Sequence, residues 1–299
     1  MKKSILLIAL FLISIAVTSQ EQPSPNIRIS DISINNGMYG NYNIPSNLSD
    51  FLKLAPGSEF LNNDLSSFAK SEFYLGITTT DNIFNINLGL LFFDVEKQNY
   101  KSNPQLNLGI TFISASTLSA YYSKYQNIRY DTLTSQTSTN LIFLDTIISE
   151  SYQMNYLFQQ IGLNANLIFR TQPEARWSLY SGIGLYATAS LMAATHIYHN
   201  YSEYVAYVFP DNSIYRNYSS YNSNQSKNES EIHANKTNIS IYTYVPLGLD
   251  FRIAKKNEFW RKMHIVCEMQ PGLAIDNIPE LGTKTYGCFR GSFGVRVEM

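Results

Sequence analysis

Charged side chains are scarce in this chain of 299 residues. Lys, Arg, Asp and Glu together make up 15%, which is well below the roughly 25% of a typical soluble domain. The formal net charge is −1, so the composition indicates no nucleic-acid partner. Aromatic residues are abundant, with 22 Tyr and 17 Phe but only 2 Trp. A surface with few charges and many rings suits contact with lipid better than contact with water.

Long apolar runs are missing beyond the N-terminal segment. None reaches the ~18 apolar residues that indicate a transmembrane helix. With helical spans excluded, the chain can cross a membrane only as a closed barrel, because lipid offers no partner for backbone amide groups.

The N-terminal segment has the pattern of a secretory signal peptide. Lys2 and Lys3 precede an apolar run at residues 5–17, and Val17 and Ser19 occupy the −3 and −1 positions before Gln20. The apolar run is shorter than the ~20 residues of a spanning helix, and no cysteine follows it to carry a lipid anchor. We therefore predict a cleaved signal peptide at residues 1–19 and one barrel domain at residues 20–299.

Cysteine is also rare, with two copies, Cys267 and Cys288. Export would permit a disulfide between them. The alternation described below places Cys267 on an apolar face and Cys288 on a polar face of neighbouring strands. A disulfide is therefore disfavoured unless a β-bulge shifts the register.

Motifs that carry chemistry are absent from the sequence: it contains no P-loop, GxSxG, HExxH or CxxC pattern. We expect no cofactor, no metal site and no catalytic residue. His196 and His199 are three residues apart, which places them on opposite faces of a strand and disfavours a shared metal. Residues of catalytic types do lie near the predicted loops, without a spacing that ties them together: Asp145, Ser149, His196, His199, Ser202 and His233.

Strict alternation of apolar and polar residues is the dominant pattern. It is clearest from Trp177, where odd positions are mainly apolar and even positions are mainly Ser, Gly and Tyr. A period of two places the two sets on opposite faces of a strand. The pattern predicts eight strands, near residues 27–39, 71–93, 105–126, 151–170, 177–199, 237–254, 263–276 and 287–299. The first is the weakest, and a hairpin at the irregular residues 78–82 would raise the count to ten.

The predicted connections differ in length between the two ends of the strands. Residues 171–176 and 255–262 are short and turn-like, and 94–104 is nearly so, whereas the alternate connections, at about 40–70, 127–150, 200–236 and 277–286, are long. Short turns at one end and long loops at the other are typical of an outer-membrane β-barrel. The fold class is therefore a closed, antiparallel, up-and-down transmembrane β-barrel.

The composition of the polar face decides which way the strands face. A soluble barrel would expose this face to water and carry many Lys and Glu on it, but here it carries Gly, Asn, Ser, Thr and Tyr. Small residues suit the narrow, filled lumen of about eight strands. Charges of both signs fall on the polar parity of the later strands, and lone buried charges are costly. We predict a paired charge network in the lumen, formed by Arg170, Asp250, Arg252, Glu268, Arg290, Arg296 and Glu298.

The last strand ends in a polar-x-Gly-x-x-apolar-x-apolar pattern formed by Ser292, Gly294, Val297 and Met299. It resembles the terminal signal that the barrel-assembly machinery recognises, although Met299 replaces the usual aromatic residue. With the Val17–Gln20 cleavage region and the glycine-rich strands, this ending makes the chain resemble outer-membrane β-barrel proteins of Bacteroidota, comparable in architecture to the OmpA transmembrane domain. The resemblance implies an outer-membrane location, a lipid bilayer around the barrel and contact with the assembly machinery during insertion. It implies no catalytic residue.

Function is predicted to lie in the external loops. Residues 200–236 combine Tyr with Ser and Asn, the composition of binding loops, which favours a protein or surface ligand; a variable loop without a partner is the alternative. Residues 52–68 are too apolar for free solvent and either pack over the barrel mouth or dock on a partner. The main hypothesis is a structural or binding barrel. A narrow solute pore, a rim enzyme acting on lipid or peptide, and a soluble secreted ligand-binding barrel remain alternatives.

Overall fold

The computed structural model describes residues 26–41, 44–70, 81–101, 103–134, 141–208, 214–215, 225–254 and 256–299. The predicted signal peptide and the predicted strand residues 71–80 lie outside these ranges. Within them the chain is almost entirely antiparallel β-structure.

Eight long strands form the body of the molecule. The sixth of these strands is interrupted at Val245 and Pro246, because proline has no amide hydrogen to contribute to the ladder. The bounds of the strands are β1 Ile27–Asn41, β2 Asn82–Asp94, β3 Gln105–Thr134, β4 Leu141–Arg170, β5 Trp177–Val208, β6 Ile239–Tyr244 with Leu247–Arg252, β7 Met263–Ile278 and β8 Gly282–Glu298.

Each strand pairs antiparallel with the next, and the ring closes. The last pairing joins β8 to β1, with Asp31 opposite Glu298 and Asn41 opposite Cys288. Closure removes the free sheet edges that an open sheet would present. The predicted fold, an up-and-down barrel of eight strands, is confirmed, and the ten-strand alternative is wrong for the described chain.

Side chains alternate between an apolar exterior and a polar interior. Along residues 177–191 of β5 and residues 239–249 of β6 every second residue is exposed. Leu179, Ile241 and Val295 are 59%, 44% and 38% exposed, so the apolar set points away from the axis. The outward apolar set is shared by all eight strands and includes Ile34, Met38, Phe84, Ile86, Leu108, Phe112, Ile161, Leu163, Ile183, Leu185, Ile239, Leu247, Met269, Leu273, Phe289, Phe293 and Val297.

A β-bulge explains the weak alternation of the first strand. The register of β1 against β2 shifts between Ile29 and Asp31. Before the shift odd residues such as Ile27 face outward, and after it the even residues Ile34 and Met38 do so. A single inserted residue reverses the face of every residue that follows it, which hid the inward direction of Asp31.

Three strands continue far beyond the barrel. β3 and β4 have 30 residues each and β5 has 32, whereas a tilted strand needs only about 9–11 residues to cross the apolar layer. The predicted loop at 127–150 is wrong, since β3 and β4 pair continuously as far as Thr134 and Leu141. The predicted loop at 200–236 is also largely strand, because Gln225–Ala234 pairs with Ala194–Glu203 of β5. We call residues 119–134, 141–155, 194–208 and 225–234 the external sheet.

The connections at the two ends of the barrel differ in length as the sequence indicated, with one exception. The start of β1, the end of β8 and the three short turns lie at one end, which we call the short-turn end. At the other end, the connection predicted as long at 277–286 is a tight turn, with Ile278 opposite Gly282. Gly282 has φ of +85°, a backbone conformation that glycine adopts without a Cβ penalty.

Two short helices complete the described chain. Helix α1, Leu48–Leu54, follows the N-cap residue Asn47, whose backbone amide donates to Asp50 Oδ2 at 3.3 Å. Phe51 and Leu54 are three residues apart and form its buried face. Helix α2, Glu258–Arg261, lies in the β6–β7 turn and is capped by Asn257. Of the helices described, none has the length and apolarity to span a membrane.

Candidate functional site

A cluster of charged side chains fills the lumen near the short-turn end. Its centre is Asp250 on β6, whose Oδ2 lies 2.5 Å from Arg170 Nη1 and 2.9 Å from Arg296 Nε. His264 Nδ1 lies 2.5 Å from the second oxygen, Asp250 Oδ1. All of these side chains are buried. The Asp250 carboxylate therefore connects β6 to three other strands, which are β4, β7 and β8.

The cluster extends along the last strand. Arg296 Nη2 lies 3.0 Å from Glu298 Oε1, and Arg252 Nη2 lies 3.6 Å from Glu298 Oε2. Arg296 Nη1 also lies 3.3 Å from Asp31 on β1. Alternating signs leave each buried charge beside an opposite one, which is the condition under which burial of charge is tolerated.

Two members of the predicted set lie outside this cluster. Glu268 accepts a hydrogen bond from the Tyr180 hydroxyl at 2.6 Å and contacts Gln270 rather than an arginine. The Arg290 guanidinium lies over the Tyr242 ring, 3.9 Å from its centroid. The structure thus brings together Arg170, Asp250, Arg252, Arg296 and Glu298. It places Glu268 and Arg290 further from the short-turn end along β7 and β8.

Amides, hydroxyls and rings fill the middle of the lumen. Thr111 donates to Asn85 Oδ1 at 2.6 Å and accepts from Asn164 Nδ2 at 2.8 Å. Elsewhere in the lumen the Tyr242 and Tyr244 rings stack, with their centroids 5.3 Å apart. Gly248 makes room for such rings, because a Cβ at this position would collide with the Tyr180 ring. These side chains point into the barrel interior and leave a cavity lined by polar residues such as Asn87, Asn107 and Glu268.

An apolar segment closes the other end of the barrel. Residues 46–68, which we call the mouth plug, contain α1 and the turns that follow it. Phe51, Leu54 and Leu61 are at most 4% exposed and pack in one cluster with Tyr156 of the barrel and Ile197 of the external sheet. Of the two predicted roles for this segment, packing over the mouth is the one the contacts describe.

The mouth plug is fastened to the external sheet by Glu231. Its Oε2 accepts from Ser58 Oγ at 2.6 Å, and its Oε1 accepts from the backbone amides of Glu59 and Phe60 at 3.1 and 3.2 Å. Partial burial acts to raise the pKa of Glu231. The hydrogen bonds from Ser58, His233 and the Phe60 amide outweigh it and hold the pKa below its ordinary value.

Aromatic rings form a second contact between the plug and the external sheet. Tyr152 and His199 are opposite each other on β4 and β5, and their rings stack at 4.5 Å. Phe60 of the plug lies 5.6 Å from the His199 ring. His199 is also placed between two carboxylates, with Nε2 2.8 Å from Glu150 and Nδ1 3.6 Å from Glu229.

The residues of catalytic type form no hydrolytic triad in the described chain. Glu231 lies between Ser58 and His233, whereas activation of a serine requires the histidine in the middle. Asp145 is buried against Arg129 at 3.2 Å. Ser149 and Ser202 are opposite each other on β4 and β5. His196 contacts Tyr198, away from His199. No cluster of His, Cys, Asp and Glu that could hold a metal occurs in these ranges either.

The cysteines and the terminal pattern occupy the following places. Cys267 is exposed and Cys288 is buried, and no disulfide joins them. Val297 and Met299 face outward. Ser292 and Gly294 lie on the opposite parity, and a Cβ on Gly294 would collide with Ile34 and Asn35 of β1. The pattern therefore lies at the seam where β8 closes the barrel.

Sequence reasoning missed three features of the site. The predicted charge network lacked Asp31, which was hidden by the bulge in β1, and His264, which is a partner of Asp250. The Glu231 contact joins residues about 170 positions apart in the chain, and no local pattern marks such a pair.

The fold and the lumen define the chain as a closed eight-stranded antiparallel barrel with an apolar exterior, the architecture of a transmembrane β-barrel. No protein-family model matches the sequence, and no curated protein matches it. Three solved structures are similar over most of their length. Ail, the attachment invasion locus protein of Yersinia pestis, solved with the heparin analogue sucrose octasulfate, has 12% identity and a TM-score of 0.21, covering 90% of this chain and 99% of its own.

The other two structures are OmpT of Vibrio cholerae and OprB of Pseudomonas putida. OmpT has 10% identity and a TM-score of 0.16, covering 93% of this chain and 99% of its own. OprB has 6% identity and a TM-score of 0.12, with coverage of 92% and 94%. The architecture of this chain rests on its own strand pairing.

Proposed function

We propose that the chain is an integral outer-membrane barrel that serves as a rigid, closed support for the external sheet and the mouth plug, which bind a partner or surface ligand outside the cell. The observation that carries the proposal is the outward apolar set around the whole ring. In water those side chains would form an unbroken apolar surface far larger than the few hundred Å² of a typical soluble protein. A bilayer is the solvent that such a surface fits.

The side chains inside the lumen support a role other than transport. The Asp250 cluster occupies the short-turn end, stacked tyrosines occupy the middle, and the mouth plug covers the far end. A barrel of about eight strands has an interior that side chains just fill. The solute pore is therefore the weaker hypothesis, and planar-bilayer conductance tests it.

The length of the external sheet supports a binding role. β3, β4 and β5 carry paired backbone well beyond the apolar band. The plug is fixed to the external sheet through Glu231 and Tyr152. Ordered structure of this size outside a membrane supplies a fixed surface for contact. The Tyr, Ser and Asn residues of residues 200–236 are of the types that binding loops use.

Fractionation and gel mobility test the membrane placement. The mature protein should remain in the outer-membrane fraction after a carbonate wash and should migrate faster in unheated than in heated gel samples. Recovery in the soluble fraction without a heat-dependent shift would contradict the proposal. Steady ion conductance through the purified barrel would replace the binding role with the pore.

A further inference from the structure

The short-turn end carries an excess of exposed basic side chains. They come from the start of β1 and from all three short turns, so they surround the circumference: Arg28, Lys97, Lys101, Arg176, Lys256, Arg261 and Lys262. We call them the basic rim. The exposed acidic side chains of the same described segments are Glu96, Glu174 and Glu258. Seven exposed cations against three exposed anions give these segments a net positive charge, although the whole chain has a net charge of −1.

Exposed aromatic rings lie at the same level as the basic rim. Trp177 and Trp260 are 57% and 45% exposed, and Phe259 is 66% exposed. The Trp177 ring lies 4.2 Å from the Phe251 ring, and the Arg176 guanidinium lies 4.9 Å from the centre of the same Phe251 ring. Helix α2 presents Phe259 and Trp260 directly before Arg261 and Lys262. Arg176 is thus held beside rings of the apolar exterior, and Arg261 and Lys262 directly follow two exposed rings in the chain.

We infer that the basic rim binds anionic phospholipid headgroups of the leaflet at the short-turn end, an inference that rests on the proposed membrane placement. Trp residues settle at the boundary between hydrocarbon and headgroups, so the rings place the cations at headgroup depth. Anionic headgroups attract basic residues at that depth, by about fivefold in affinity for each Lys or Arg.

The circular distribution of the basic rim favours lipid over an acidic protein partner. A protein would contact one side of this end, whereas a leaflet contacts every turn at once. Arg28 lies 4.8 Å over the Tyr100 ring on the β2–β3 side, and Arg176 lies over Phe251 on the β4–β5 side. The same pairing of cation and ring thus recurs at separate turns.

Tryptophan fluorescence can test the inference at this rim alone, because Trp177 and Trp260 are the two tryptophans of the chain. The full-length mature protein would be reconstituted in phosphatidylcholine vesicles containing increasing fractions of brominated phosphatidylglycerol. A parallel series would use brominated phosphatidylcholine. The two quenching curves give the relative binding constant of the anionic lipid.

The variant Arg176→Gln/Arg261→Gln/Lys262→Gln removes three rim cations. Its matched control, Lys53→Gln/Lys227→Gln/Lys236→Gln, removes three exposed cations at the opposite end. We expect the unmodified protein and the control to prefer the anionic lipid by about fivefold or more. The rim variant keeps the other four rim cations, and its ratio should fall at least about fivefold below that of the control. The preference should also weaken as the Debye length falls from roughly 30 Å at 0.01 M salt to roughly 3 Å at 1 M.

Two results would overturn the inference while leaving the membrane placement intact. One is equal quenching by both lipids in the unmodified protein, which would leave the rim to a soluble acidic partner. The other is a ratio in the rim variant that equals that of the control. Absence of quenching by either lipid would instead remove the membrane placement, and the inference with it.

Discussion

Arg296 and Asp250 meet inside the barrel although they belong to strands that are not neighbours, with Arg296 Nε 2.9 Å from Asp250 Oδ2. Arg296 lies on β8 and Asp250 on β6, and β7 separates the two strands. Their side chains are 7% and 2% exposed, so water solvates neither. The pair ties together strands that the backbone ladder leaves apart.

Asp250→Asn removes the carboxylate that Arg170, Arg296 and His264 share. Breaking a buried ion pair by removing one partner costs about 3–5 kcal/mol, because the remaining charges stay buried without compensation. We expect a loss of this size in the free energy of unfolding. Urea titration of the reconstituted barrel, followed by heat-dependent gel mobility, measures it. Glu174→Gln is the control, because Glu174 is 91% exposed at 3.7 Å from Arg252 and exposed pairs contribute at most about 1 kcal/mol.

Ile183→Arg tests the outward direction of the apolar set. Arg on the lipid face of a barrel strand costs about 2–4 kcal/mol at the middle of the bilayer. Ile232→Arg is a matched control, since both isoleucines are 66% exposed but Ile232 lies in the external sheet. We expect this control to change the free energy of unfolding by no more than about 0.5 kcal/mol. Equal effects of the two substitutions in vesicles would contradict the membrane placement.

Phe51→Ala separates the stability of the mouth plug from that of the barrel. Phe51 is fully buried in the cluster at the barrel mouth, and truncation of a buried phenylalanine costs about 3–5 kcal/mol. We expect faster hydrogen exchange at residues 48–65 with an unchanged heat-dependent gel shift. Leu52→Ala is the control, because Leu52 is 38% exposed on the same helix. Loss of the gel shift in Phe51→Ala would mean that the plug is needed for the barrel to fold.

Acid should loosen the plug through Glu231. Its pKa in the folded protein is held below the ordinary value, so its stabilising contribution is complete above the unfolded pKa of about 4.3. The contribution disappears as pH falls through the lower, folded pKa, because protonation removes the charge that Ser58 and His233 contact. Hydrogen exchange at residues 55–62, corrected for the intrinsic rate, should rise in that acidic window.

Glu231→Gln should raise the same exchange already at neutral pH and remove its dependence on acid. Glu59→Gln provides the control in the same turn, since Glu59 contacts Glu231 only through its backbone amide. An acid response that persists in Glu231→Gln would assign the effect to another group.

Alternation in the sequence determined the barrel, because lipid and a packed lumen demand opposite side chains at successive residues. From Trp177 onward this pattern predicts both the strands and their faces, and it assigns Asp250, Arg296 and Glu298 to the inside. Where the environment stops alternating, the pattern disappears. Residues 127–150 and 200–208 were predicted as loops because strands beyond the apolar band have no lipid-facing side to mark them.

Only the tertiary structure decided which inward residues meet. The bulge before Asp31 reverses the faces of β1, and closure of β8 onto β1 then brings Asp31 to Arg296. Folding of the plug into the mouth brings Ser58 to Glu231. Local sequence sets the direction in which a side chain leaves its own strand, whereas contacts across the lumen depend on register and closure, which all eight strands establish together.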